Sequence, residues 1–112
     1  MKDYQIRFRR AAKDDVASLR RYLERNFGTK RADEILVSLR DSLAKLGAMP
    51  ELGRNAIELS SLLAGYRFLH LPKNTAFYVV DDEKRVVEII RVFDNRMDAL
   101  AILLECLKKK EK

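Results

Sequence analysis

The chain has 112 residues, of which 47% are hydrophobic and 36% are charged. A chain of this length buries roughly two thirds of the surface that its unfolded form exposes, so we expect one domain over residues 1–112 that folds without covalent cross-links. The single cysteine, Cys106, excludes an intramolecular disulfide. The net charge of +6 favours an acidic partner, but it does not distinguish a nucleic acid from an acidic protein segment.

Hydropathy and cysteine use also bear on where the protein works. No apolar run approaches the roughly 20 residues that a membrane helix needs, and the N-terminal residues lack the apolar core of a signal peptide. A lone cysteine suits a reducing compartment. We therefore expect a soluble cytoplasmic protein with no membrane partner.

The first half of the chain is predicted to form one strand and two helices. Tyr4–Arg9 alternates apolar and polar residues, which is typical of a strand with one buried face. From Ala11 the apolar residues recur at three- and four-residue steps, which predicts a helix that ends at Gly28. Thr29 is a candidate N-cap for a second helix, which ends near Gly47. A link this short makes the two helices an antiparallel hairpin.

The second half is predicted to form an antiparallel meander of three strands. These strands are Gly65–Leu71, Thr75–Val80 and Arg85–Phe93. Two polar turns separate them, Pro72-Lys73-Asn74 and Asp81-Asp82-Glu83. Short strands with such close links pair most simply in antiparallel order.

The remaining segments complete an α+β fold of the order β-α-α-β-β-β-α, in which an antiparallel sheet packs against the N-terminal helical hairpin. Residues 56–63 indicate a loop with a brief strand or helical turn. Asp94 or Asn95 can cap a C-terminal helix, whose leucine stripe is either core or partly exposed for a partner. We expect Ile6, Leu39 and Val87 to share one interior, and the sheet to display functional residues on a free face.

The chain lacks the motifs of a metalloenzyme or a cofactor-dependent enzyme. One histidine and one cysteine cannot supply a zinc site. No P-loop and no dinucleotide-binding glycine pattern occurs, and the serines have no motif that suggests an adjacent base. We therefore predict no cofactor and no metal site.

What remains is a set of cationic and aromatic residues on or just beyond the meander strands: Arg67, His70, Tyr78, Arg91 and Arg96. His70 is either a hydrogen-bonded structural residue or a catalyst. Tyr78 is predicted to pack in the sheet with its hydroxyl at an edge.

The arginines within apolar strands must either pair with an acid or face a partner, because an unpaired buried charge is costly. For Arg67 and Arg91 we leave both interpretations open. The candidate acids for internal pairing are Glu88, Asp94 and Asp98. Asp14 and Asp15, near the start of the first helix, suit the positive end of its dipole.

Several short segments also occur in a characteristic order. An Ala-Asp-containing helix start at residues 11–15 is followed by Phe27-Gly28 and by the turn Pro50-x-x-Gly53-Arg54. Gly65-Tyr66-Arg67, Phe77-Tyr78 and the ending R-V-F-D-N-R-M-D at residues 91–98 come next. In this order and spacing the chain resembles the RelE/ParE superfamily of bacterial toxins, and more closely its ParE branch. The resemblance covers nearly the whole chain.

The resemblance implies a toxin of a type II toxin–antitoxin module, with roles such as plasmid stabilization. ParE-like toxins poison DNA gyrase by binding, and an acidic, partly disordered antitoxin silences them by folding along their surface. On this basis target binding is assigned to Arg67, His70, Tyr78, Arg91 and Arg96. Antitoxin binding is assigned to Leu19, Leu23, Leu36, Leu39, Leu100 and Leu104. No sequence-specific DNA binding by this chain is expected.

The RelE branch instead cleaves messenger RNA in the ribosomal A site, and this chain departs from it. Thr75-Ala76 stands where a RelE-like strand has an arginine, and Asp94 stands where relatives often carry a histidine. A carboxylate there would repel phosphate. We therefore favour a non-enzymatic gyrase inhibitor. The alternatives are a RelE-like endonuclease, for which His70 is the candidate base, and an inactivated interaction module.

Overall fold

A computed structural model describes residues 3–95 and 99–110 of the chain. Its helices are α1 (Arg10–Phe27), α2 (Thr29–Ala48) and α3 (Ala99–Lys110). Its strands are β1 (Gln5–Phe8), β2 (Arg54–Asn55), β3 (Arg67–His70), β4 (Asn74–Asp81) and β5 (Val86–Asp94). Two short 3₁₀ turns, Ala56–Glu58 and Ser61–Leu63, connect β2 to β3. None of the helices in these ranges is long and apolar enough to cross a membrane.

The five strands form one mixed sheet in the order β1-β5-β4-β3-β2. The meander β3-β4-β5 is antiparallel, so the predicted α+β fold is confirmed. Two features were not predicted: β1 pairs in parallel with β5, and the two-residue strand β2 pairs with β3. The ladder between β4 and β5 carries a bulge, because Phe77 and Tyr78 oppose Arg91 and Ile89 and leave Ile90 as the extra residue.

The helical hairpin turns at a single residue, Gly28. Its φ of 85° lies in the left-handed region that favours glycine. The Gly28 N–H donates to the Glu24 carbonyl at the end of α1, and the Gly28 carbonyl accepts from the Ala32 N–H at the start of α2. Gly28 is therefore the cap of both helices, and the prediction of Thr29 as the N-cap is wrong, since Thr29 is already helical.

One face of the sheet packs against the hairpin. Its core consists of apolar residues from both helices and from the central strands, and it includes Leu36, Leu43, Tyr78, Val87 and Ile89. Leu39 lies in the same core and Ile6 packs against it, so the predicted common interior is confirmed.

The opposite face of the sheet is also covered over part of its area. There Phe77 and Phe93 pack edge to face, with ring centroids 6.0 Å apart, and Leu103 of α3 closes over them. The other members of the leucine stripe, Leu100, Leu104 and Leu107, are half-buried against this second core. The expectation of an uncovered functional face is therefore wrong for this part of the sheet, because α3 and the 3₁₀ turns pack on it.

Candidate functional site

The only histidine of the chain, His70, is the last residue of β3, and it is held by Thr75 at the start of β4. The two residues are paired across the strands, and the imidazole Nδ1 lies 3.0 Å from the Thr75 hydroxyl oxygen. That hydroxyl donates to Asn95 Oδ1 at 2.6 Å. Because the hydroxyl has only one proton to donate, it accepts from Nδ1–H, and this assigns the Nδ1–H tautomer to neutral His70. The other ring nitrogen, Nε2, is left as an acceptor on an exposed side chain.

Asn95 fixes the orientation of this chain of hydrogen bonds. Its amide Nδ2 donates to the Leu71 carbonyl at 2.8 Å, which leaves Oδ1 to accept from Thr75. Its backbone N–H donates to the Lys73 carbonyl at 2.9 Å. We call His70, Thr75 and Asn95 the turn-end triad. It combines an oriented imidazole with two neutral partners, so it can accept a proton or a hydrogen bond at Nε2.

Arg91 lies on the same sheet face as His70, but its guanidinium is bound internally. Asp15 of α1 accepts from Nε and from Nη2, both at 2.8 Å, and also from the Val92 backbone N–H at 2.9 Å. Only 19% of the Arg91 side chain and 15% of the Asp15 side chain are exposed. The hydrogen bonds to Asp15 raise the pKa of Arg91, so it remains charged.

Internal pairing is thus the correct interpretation of Arg91, but its partner is Asp15, and Asp98, one of the predicted acids, lies outside the described residues. Glu88 pairs instead with Arg9 of the segment that links β1 to α1. Arg91 also donates to the Cys106 sulfur of α3 at 3.1 Å and lies 4.7 Å from the centre of the Phe93 ring. It therefore joins β5 to both α1 and α3.

Tyr78 and Arg67 hold the turn that precedes β2. Tyr78 is completely buried, and its hydroxyl donates to the Pro50 carbonyl at 2.7 Å and accepts from the Gly53 N–H at 2.9 Å. Burial raises the pKa of this phenol. Half-buried Arg67 donates to the Gly53 carbonyl at 2.8 Å. The predicted packing of Tyr78 in the sheet is therefore confirmed, and its hydroxyl bonds the turn before the edge strand β2, so in this conformation Tyr78 positions that turn.

The assigned site residues do not form one cluster. His70 and Arg91 share a sheet face, whereas Arg67 lies opposite Tyr78 on the hairpin side. Arg96 lies outside the described residues. Two residues of the turn-end triad, Thr75 and Asn95, were not recognised from the sequence as site residues. Thr75 could have been found, because the three-residue link between β3 and β4 makes a tight hairpin in which Thr75 lies directly opposite His70.

The leucines assigned to antitoxin binding are largely structural. Leu23, Leu36 and Leu39 belong to the core, with 6%, 1% and 7% exposure. Their apolar periodicity marks the inner face of the hairpin, so only a small outer edge of each can contact a partner. Leu19, Leu100 and Leu104 are half-buried and retain more accessible surface.

Two grooves flank α1. The α1–α2 groove has a volume of about 400 Å³, and its lining consists of apolar residues and three cations: Phe8, Lys13, Val16, Ala17, Arg20, Leu36, Leu39, Arg40 and Leu43. The α1–β5 groove, about 600 Å³, lies beside the Arg91–Asp15 pair and is lined by Leu19, Tyr22 and Phe93 among others. Among the described residues, no group of three histidine, cysteine or acidic side chains is placed to hold a metal ion.

Comparison with known proteins gives a family and several similar folds. The sequence model described as the ParE toxin of the type II toxin–antitoxin system parDE matches residues 6–99. No curated protein matches the chain significantly. Among solved structures, the chain is similar to one in the RelBE2 toxin–antitoxin complex of Mycobacterium tuberculosis, with 25% identity, a TM-score of 0.64, and 84% and 93% of the two chains covered.

Two further structures share the fold at lower identity. A chain of the chromosomal ParDE toxin–antitoxin system from P. aeruginosa is 17% identical with a TM-score of 0.67, and the match covers 81% of this chain and 95% of that one. A mutant of the E. coli toxin RelE in the free state is 21% identical with a TM-score of 0.61, and 96% and 97% of the two chains are covered. The similar folds thus include both ParE-type and RelE-type proteins.

Proposed function

Because this chain belongs to the ParE toxin family of type II toxin–antitoxin systems, we propose that it inhibits DNA gyrase by binding and that a cognate acidic antitoxin neutralises it. The match to that family over residues 6–99 carries the proposal. The target and the antitoxin are cytoplasmic on this proposal, and so is the toxin. The chain breaks no covalent bond in this role.

The electrostatics of the Arg91 site support a binding role over RNA cleavage. Cleavage through the ribose 2′-hydroxyl needs a cation that stabilises the charge developing on the phosphate. Arg91 shares the face of His70, but Asp15 engages two of its nitrogens and neutralises its charge. Ala76 stands beside Thr75 in β4 and is fully buried, so it offers no polar group to a phosphate.

The antitoxin part of the proposal follows from charge and from the similar structures. The net charge of +6 speeds the capture of an acidic chain by long-range attraction. The similar M. tuberculosis RelBE2 chain was solved in a toxin–antitoxin complex. A disordered antitoxin segment that folds on this surface can cover a large area while it meets its ordering cost on binding.

The direct test is supercoiling of relaxed plasmid by purified gyrase with increasing amounts of the chain. We expect inhibition at a toxin-to-gyrase ratio near one, relieved by the antitoxin. Arg67→Ala and Arg96→Ala should lower toxicity while the circular dichroism spectrum is unchanged. Full gyrase activity at a tenfold excess of chain would exclude this target, and full toxicity of both variants would refute the residue assignment.

A second candidate function, ribosome-dependent cleavage of messenger RNA, is favoured by one observation. The turn-end triad orients His70 with Nε2 accessible, as a general base requires. Codon-phased cuts in a translating extract, lost in His70→Ala, would establish this function in place of gyrase inhibition. Harmless expression of the chain without an antitoxin would contradict both functions and leave an inactivated interaction module.

A further inference from the structure

We propose that the chain contacts gyrase through an apolar patch on the connection between β2 and β3, formed by Ile57, Leu59 and Leu62. We call these three residues the 3₁₀ patch. The inference rests on the proposed inhibition of gyrase and specifies the surface that binds this target. Two observations carry it: the exposure of the three side chains, and the contacts that hold the connection in place.

The 3₁₀ patch exposes large apolar side chains close together in the chain. Ile57 is 50% exposed, Leu59 41% and Leu62 70%. Leu52, which is 42% exposed, precedes them, so residues 52–62 contain half of the eight large apolar side chains that are exposed among the described residues. Single apolar residues are normal on a protein surface, but a concentration of them in one segment indicates contact with another molecule.

The connection is fixed from its inner side. Ala56 and Leu63 are completely buried in the second core, and the Ala56 N–H donates to the Tyr66 carbonyl at 2.9 Å. Asn55 and Ser60 cap the two 3₁₀ turns, since each side-chain oxygen accepts from the N–H two residues further on, at 3.0 and 3.2 Å. Because the inner positions are occupied, the patch residues face outward. A partner therefore meets a surface that is already in shape, which lowers the ordering cost of binding.

The turn before β2 is fixed as well, through both backbone groups of Gly53. Its N–H donates to the Tyr78 hydroxyl, and its carbonyl accepts from Arg67. The turn lies so close to the sheet that a Cβ at this position would be 2.6 Å from the Phe68 carbonyl oxygen and 2.6 Å from the Tyr78 hydroxyl oxygen. Tyr78 and Arg67, which the sequence assigned to target binding, thus hold the segment that presents the 3₁₀ patch.

The surroundings of the 3₁₀ patch are electrically neutral. Between residues 54 and 66 the only charged residues are Arg54 and Glu58, and they pair through two hydrogen bonds of 2.6 and 3.1 Å. This segment thus leaves no unpaired cation to attract an acidic antitoxin. A second copy of the chain also carries a net charge of +6, so the two copies would repel each other. The patch fits an uncharged apolar area on the target protein.

The experiment compares two variants of the full chain that keep the net charge of the wild type. The patch variant is Ile57→Ser/Leu62→Ser. The control variant is Phe27→Ser/Val37→Ser, which removes two apolar side chains of similar exposure, 56% and 54%, from the helical hairpin. Thermal unfolding checks the fold of each variant.

We expect half-inhibition of supercoiling to need about 30-fold more of the patch variant than of the wild type, because a few well-packed side chains carry most of the binding energy of an interface. The control variant should need less than about threefold more. Surface plasmon resonance with gyrase should show the same deficit at about 50 mM and about 300 mM salt, because the substitutions remove no ion pair. The affinity of the patch variant for the antitoxin should be unchanged.

Equal inhibition by the patch and control variants would overturn the target surface, while inhibition by the wild type would leave the proposed function in place. Analytical ultracentrifugation tests a second copy as the occupant, and a wild-type dimer that the patch variant converts to a monomer would overturn the inference. Weaker binding of the patch variant to the antitoxin would overturn it too. If the wild type does not inhibit gyrase, the proposed function is refuted, and the target surface with it.

Discussion

The centre of the sheet and its turn end both carry polar side chains, but they differ in whether those side chains already have partners inside the protein. At the sheet centre, Tyr78 is completely buried and Arg91 is mostly buried, and their polar atoms bind partners inside the protein. At the turn end, His70 is exposed, and within residues 3–95 and 99–110 only the Nδ1 atom of its ring has a hydrogen-bond partner. An arginine or a tyrosine in a strand is therefore no indication of function until its partner is known, whereas an exposed, oriented imidazole remains available.

The largest effect that this comparison predicts is at Arg91. Arg91→Met leaves the Asp15 carboxylate mostly buried and without its cation. We expect a loss of roughly 3 kcal/mol in the free energy of unfolding, the lower end of the range for a broken buried pair. Urea denaturation measures it. The matched control is Arg9→Met, which breaks the Arg9–Glu88 pair at about one third exposure and should cost less than about 1 kcal/mol.

A double-mutant cycle sharpens this test. If Asp15→Asn is added to Arg91→Met, the second change should cost much less than it does alone, because the carboxylate has already lost its partner. If the two changes in the free energy of unfolding are strictly additive, the Arg91–Asp15 pair contributes little to stability. Internal partners would then not distinguish the sheet centre from the turn end.

A smaller effect is expected for Tyr78→Phe. The Gly53 N–H and the Pro50 carbonyl lose their partner, which should cost roughly 1–3 kcal/mol in the free energy of unfolding at neutral pH. Tyr66→Phe is the control, because that ring is only partly buried against the second core. Equal stability of Tyr78→Phe and the wild type would show that these hydrogen bonds are dispensable.

The same variant should change the response to alkali. Burial raises the pKa of Tyr78 above 10.0, so the unfolded state releases this proton more readily than the folded state does. The wild type should therefore keep this contribution below pH 10 and lose stability as the pH rises through the folded pKa. In Tyr78→Phe the alkaline decline should be shallower, and an identical decline in both proteins would contradict the burial of the phenol.

How far the sequence could predict these regions depends on the distance between partners along the chain. Periodicity located the hairpin and the meander, and Gly28 marked the turn, because those signals are local. Asp15 and Arg91 are 76 residues apart, so no local signal links them. The sequence offered only a local explanation for Asp15, the helix dipole, and that explanation is wrong. The parallel pairing of β1 with β5 was also not predicted, because it depends on how the helical hairpin crosses the sheet. Apolar spacing predicted Leu39 in the interior, but it did not show how little of Leu36 and Leu39 stays exposed for a partner.

At the turn end a smaller effect on stability is expected, but a clear effect on the imidazole. Thr75→Val keeps the shape of a mostly buried side chain and removes the hydroxyl that links His70 to Asn95. We expect a loss of about 1 kcal/mol. Nitrogen-15 NMR of the imidazole should show that neutral His70 carries its proton on Nδ1 in the wild type and loses this preference in the variant. The same tautomer in both proteins would show that the triad does not orient the ring.

The smallest effect on stability is expected at His70 itself, and it separates the two candidate functions. His70 is exposed at the end of β3, so substitution should change the free energy of unfolding by less than about 0.5 kcal/mol. His70→Gln keeps a polar side chain that can donate and accept hydrogen bonds, but it cannot transfer a proton near neutral pH. If the chain acts by binding gyrase, His70→Gln should inhibit supercoiling nearly as well as the wild type, while His70→Ala inhibits it less. Loss of toxicity in both variants would indicate that Nε2 transfers a proton, as cleavage of RNA requires.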